Sequence, residues 1–176
     1  MLTPFKHMIR VHHLHHQLLS MIALAVAATC VSAQPVQAQV LARGGGKTII
    51  QGGSGAPGFV PVITTIAFHA ERQGQAVSGD FECLALVPAV STGNGSGEFT
   101  VNAMYVTGQV TSVAVEGETA TLKGIATVTG LGAGTNLPFT LVVRKGGPGS
   151  TSVLTVSGFT FHEILLEGSF DVGSGD

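Results

Sequence analysis

Two histidines and a glutamate have the side-chain chemistry of a divalent-metal site. His69 and Glu71 stand two apart in an alternating segment, so an extended backbone puts both on one face. His162, from a late segment, would complete a three-ligand set for Zn²⁺ or a similar ion. The simpler explanation is histidine exposed or hydrogen-bonded on a strand, since no carboxylate is tied to both rings. The expectation is therefore no metal and no cofactor, with His69, Glu71 and His162 as the residues to follow.

Covalent catalysis would need a nucleophile, a histidine beside it and a group to orient that histidine. Cys83 with His69 or His162 is the one pairing with suitable side chains, and neither a Gly-x-Ser-x-Gly elbow nor a cysteine-protease signature surrounds a candidate. Cys83 lies in the apolar run Phe81-Glu82-Cys83-Leu84-Ala85-Leu86, where a buried, inert thiol is expected. Glu116 and Glu118 resemble an acid and base pair, but they flank Gly117 and read as solvated residues of a turn. Arg43-Gly44-Gly45-Gly46-Lys47-Thr48 imitates the end of a phosphate-binding loop. That motif also needs glycine where Leu41 stands and a buried strand upstream, so nucleotide binding is not expected. Asn94-Gly95-Ser96 formally matches a glycosylation acceptor within a loop rich in glycine and serine. No catalytic residue is expected, and the chain reads as a non-enzyme.

The segments that hold these residues begin with an export leader. Lys6 and Arg10 precede an uncharged apolar run over 18–28, and Val31-Ser32-Ala33 ends it with small residues. This run is shorter than the roughly 18 to 20 residues that cross a bilayer as a helix. The expectation is a signal peptide over 1–33, with a second acceptable cleavage site after Ala38. Five of the seven histidines (His7, His12, His13, His15 and His16) precede the run and leave with it. Cys30 follows Thr29, which fits a lipid-attachment site poorly, and its removal leaves Cys83 without an intramolecular disulfide partner.

Charged residues are 10% of the chain, so stability must come from apolar burial and backbone pairing. A formal net charge of −2 supplies no basic footprint for nucleic acid. With one Tyr and no Trp, stacking platforms for bases or sugars are also not expected. Residues 34–61, rich in Gly, Gln, Pro and Ala, read as a flexible linker. From residue 62 to 176 short alternating segments recur between glycine-rich turns. Ala120, Leu122, Gly124, Ala126 and Val128 form one apolar face, joined through Glu116-Gly117-Glu118 to a strand over 110–115. Phe99, Val101, Ala103 and Tyr105 alternate likewise, as do Phe139, Leu141 and Val143. Further strands are expected at 63–71, 77–86, 153–156, 160–166 and 168–172. The fold class is all-β: one antiparallel barrel or sandwich of eight or nine strands, after a leader helix and linker.

The run Gly108-Gln109-Val110-Thr111-Ser112-Val113 through Ala120-Thr121-Leu122-Lys123-Gly124 resembles small exported bacterial β-domains of the hypothetical-secreted or post-COAP type. The resemblance covers 66–172, including Ala67-Phe68-His69-Ala70 and Val77-Ser78-Gly79-Asp80-Phe81. It ends on Glu167-Gly168-Ser169-Phe170-Asp171-Val172, which looks like the family's last strand. That family's turn, Asp-x-Gly-x-Pro-Gly followed by Asp, here has Arg144 and Ser152 at its acidic positions, which removes the anionic ligands a Ca²⁺ site would need. What the resemblance implies is fold and export, without an activity.

These observations point to an exported, non-catalytic β-domain, secreted, periplasmic or at the cell surface. It would serve as a structural or interaction module whose exposed sheet edges pair with another copy or another surface protein. No nucleic-acid partner and no stable membrane span after leader cleavage are expected. One alternative is a carrier with a hollow barrel, which calls for a cavity of at least about 300 Å³ lined by Phe and Leu. Another is a small metal-dependent or hydrolytic enzyme built on His69, Glu71 or His162.

Overall fold

The computed structural model describes residues 37–53, 61–87 and 101–173. The expected leader and the Asn94 loop lie outside the described residues. The strands are β1 (Gln39–Ile50), β2 (Ile63–Gln73), β3 (Ala76–Val87), β4 (Val101–Glu116), β5 (Thr119–Gly130), β6 (Gly134–Arg144), β7 (Thr151–Val156) and β8 (Phe159–Val172). Each is antiparallel to its neighbours in sequence, and β1 pairs with both β2 and β8, so the sheet closes into a barrel. Closure leaves the eight strands without a free edge. No helix among the described residues is long and apolar enough to cross a membrane. Along β5 the wall carries Ala120, Leu122, Ala126 and Val128 inward and Lys123, Ile125 and Thr127 outward.

The strand that closes the barrel is a correction to the sequence reading. β1 lies inside the stretch 34–61 that composition marks as a flexible linker, and it includes Gly44-Gly45-Gly46. Those glycines are where its neighbours come closest. A Cβ on Gly46 would sit 1.9 Å from the Glu167 carbonyl oxygen, and one on Gly44 2.6 Å from that of Ser169. Arg43 and Lys47, the ends of the apparent phosphate loop, instead point outward and face Asp171 at 3.5 Å and Glu167 at 2.9 Å.

Two strands are longer than their alternation indicates. β4 joins the expected strand of Val101, Ala103 and Tyr105, whose Phe99 lies outside the described residues, to that over 110–115, and β8 merges 160–166 with 168–172. Both are irregular. Ala103 is the extra residue where the β3–β4 register shifts, and Leu166 is extra where β8 pairs with β1. The shift near Ala103 explains a second correction: Met104 and Val106 face the core, while Tyr105 faces out and donates a hydrogen bond to Glu82. Tight hairpins agree with expectation. Gly117 between β4 and β5 has φ 59°, which suits a residue lacking Cβ.

Four phenylalanines fill one half of the interior. Phe68 and Phe170 meet with centroids 5.5 Å apart, and Phe81 stacks on Phe139 at 5.1 Å. Glycines on adjacent strands make the room: Gly44 lies between Phe170 and Phe68 in register, and the Phe139 ring covers Gly108 and Gly124. At this end the connection after β6 continues the wall beyond the short β7. Gly146 exchanges two backbone hydrogen bonds with Phe170, and Leu165 donates to Ser150. The turn from Arg144 to Ser152, which lacks the acidic residues a Ca²⁺ site would need, is therefore largely engaged in backbone pairing with β8.

Candidate functional site

The other half of the barrel is lined by smaller side chains, and it is hollow. A cavity of about 180 Å³ is bounded by Val62 just before β2 and Thr64 within it, Cys83 and Ala85 from β3, Met104 and Val106 from β4, and Leu154, Phe161 and Glu163 from β7 and β8. It forms because Ala85, Cys83 and Thr64 occupy inward positions comparable to those held by phenylalanine in the filled half. At its mouth Leu131 projects from the β5–β6 turn, which is fixed to the β7–β8 turn by a 2.7 Å hydrogen bond from Ser157 to the Gly132 carbonyl. Phe159 stacks beside Phe161 on the same rim.

One polar cluster interrupts the apolar wall. Glu163 is 2% exposed, and its Oε2 lies within hydrogen-bond reach of the Thr48 and Thr64 hydroxyls, the latter at 2.8 Å. The two hydroxyls also contact each other. Register explains the convergence, since Thr48 pairs with Thr64 on β2 and with Leu165 on β8, one inward position beyond Glu163. Burial pushes the Glu163 carboxyl above the usual carboxylate range, against the opposing pull of both threonine hydroxyls. Cys83 lines the same cavity. Burial first, and the Glu163 carboxyl second, push its thiol above the ordinary value, which leaves it protonated and weakly nucleophilic at neutral pH. Ser152, opposite Glu163 on β7, has a buried hydroxyl without a hydrogen-bond partner.

Glu163 should leave a signature in the pH dependence of stability. Between the ordinary carboxylate pKa and its raised native value, the folded protein binds more protons than the unfolded chain, so stability falls as pH rises. The contribution is complete below the unfolded pKa and is lost as pH passes through the native one. Glu163→Gln cannot titrate and should flatten the profile by up to about 1.4 kcal/mol per pH unit within that window. Urea unfolding from pH 4 to 8 measures this. Parallel profiles for the two proteins would show that Glu163 titrates normally.

The residues that sequence singles out for metal do not converge. His69 and Glu71 approach to 3.5 Å on the outer face of β2, each side chain about 40% exposed. His69 is level with Arg43 and Asp171, whereas His162, nine residues before Asp171 on β8, pairs with Val153. That separation is roughly 30 Å along an extended strand. Among the described residues no group of three His, Cys, Asp or Glu side chains is arranged to hold a metal ion. Glu116 and Glu118 are exposed at a hairpin, and Glu118 faces Arg144 at 3.8 Å.

Sequence reasoning passed over Glu163, although the signal was present. A strand over 160–166 puts it on the same face as Phe161 and Leu165, and a carboxyl on an apolar face asks for an explanation.

Fold and site together define a closed, eight-stranded antiparallel barrel with a hollow end and a buried carboxyl in its wall. No family model, curated protein or solved structure matches the chain.

Proposed function

We propose that this chain is an exported, non-catalytic barrel that holds one compact, mainly apolar small molecule in its hollow end. The cavity of about 180 Å³ carries this reading. It is smaller than the 300 Å³ set for a carrier because four phenylalanines occupy the rest of the interior, so the ligand is correspondingly small. An apolar cavity of about 150 Å³ holds a benzene-sized molecule. Barrels of eight strands can enclose one such ligand. A non-catalytic role is supported by the protonated Cys83 thiol and by the outward placement of His69 and His162.

A second reading, an interaction module at the cell surface, draws support from the outer wall. Ile164, Ile49, Ile63 and Leu86 follow one another across β8, β1, β2 and β3 in register, with Ile164 43% exposed. Closure of the barrel makes such docking a matter of faces, since sheet-edge pairing has no free edge among these strands.

Isothermal titration of purified protein with toluene tests the carrier reading. Saturable binding at one site is expected, abolished by Ala85→Phe, whose ring would occupy the cavity while the barrel keeps its β-sheet circular dichroism. Failure of the unaltered protein to bind toluene or any other ring of that size would defeat the reading.

A further inference from the structure

Resting on that reading, we infer that the cavity selects an uncharged ligand with one hydrogen-bond donor, an alcohol or phenol head on a small apolar body, and that Glu163 accepts that hydrogen bond. Thr48 Oγ1, Thr64 Oγ1 and Glu163 Oε2 form a triangle with three contacts, and each contact needs one proton to be a hydrogen bond. The two hydroxyls supply two. The third is present only when the carboxyl is protonated, and a neutral acid closes the ring.

The surroundings agree. No Lys, Arg or His side chain lines the cavity, and Cys83 from β3 is the other titratable group that faces it. On β1, β2 and β7 the inward groups beside Glu163 are Thr48, Thr64 and Ser152, all uncharged. A lone carboxylate in this setting would lack a counter-charge. With its proton committed to the threonine ring, the acid keeps its second oxygen as an acceptor, and a ligand hydroxyl is the matching group. A cationic amine would have to ionise Glu163 and remove the proton that completes the ring. An anionic ligand would meet only apolar wall and an acceptor.

Four probes of one size decide the matter at pH 6: toluene, benzyl alcohol, benzylamine and benzoate, titrated calorimetrically into purified protein. Benzyl alcohol is expected to bind about tenfold more tightly than toluene, the ordinary return of one buried hydrogen bond. Benzylamine and benzoate should bind more weakly than both. Glu163→Gln, neutral and still an acceptor, should keep the preference for the alcohol, and Glu163→Met should reverse it in favour of toluene. Tightest binding by benzylamine would mean an ionised carboxylate and would overturn the inference. Equal or tighter binding of toluene by the unaltered protein would overturn it too, while leaving the cavity reading intact; absence of binding by all four probes would defeat the cavity reading itself. The unaltered protein decides between these outcomes even if a Glu163 variant fails to fold.

Discussion

Gly46→Ala should destabilise the protein by roughly 3 kcal/mol or more, among the largest effects a single added methyl can have. The new Cβ would lie 1.9 Å from the Glu167 carbonyl oxygen and 2.9 Å from its carbon, both backbone atoms that cannot rotate away. Relief requires β1 and β8 to move apart at the point where the barrel closes. Gly45→Ala, whose Cβ would meet the Ile66 oxygen at 3.0 Å, should cost distinctly less. Urea unfolding of the two variants measures the gradient. If both substitutions were neutral, the glycine-rich stretch would be a tether after all, and the barrel would have to close without it.

A second large effect belongs to the filled half. Phe139→Ala should cost about 3–5 kcal/mol, because it removes a ring that stacks on Phe81 and covers two bare glycines. The pairing of ring and glycine makes a sharper prediction. In the unaltered protein the atoms nearest a Cβ on Gly108 would be those of the Phe139 ring, at 2.7 Å, so Gly108→Ala should be destabilising. With Phe139 already replaced by alanine, the same change fills vacated space and should be neutral or stabilising. The double-mutant cycle should therefore show a coupling of at least about 1 kcal/mol. Additive effects would mean that the ring does not lie over Gly108.

How much of this was legible beforehand depends on whether side chains carried the signal. Residues 120–128 alternate without interruption, and β5 and its inward face were readable directly. β1 was not, because Gly44-Gly45-Gly46 removes the side chains whose periodicity announces a strand. The glycines were read as freedom, whereas here they permit close approach. β4 and β8 each read as two segments in the sequence, because the extra residues Ala103 and Leu166 break the alternation. Of the candidate site, Cys83 was placed correctly as a buried thiol. Glu163 was missed, since a single carboxyl among apolar neighbours belongs to no motif, and its partners Thr48 and Thr64 reach it only through barrel closure. His69, Glu71 and His162 drew attention by type, but strand alternation turns them outward.

The central claim is that one half of this barrel is packed and the other hollow. Pressurising crystals of the protein with xenon tests it most directly, since xenon enters apolar cavities of this size. One xenon site is predicted between Met104, Leu154 and Phe161, close to Glu163, and none among the four phenylalanines. An interior without xenon, with side chains occupying the space beside Glu163, would contradict the account.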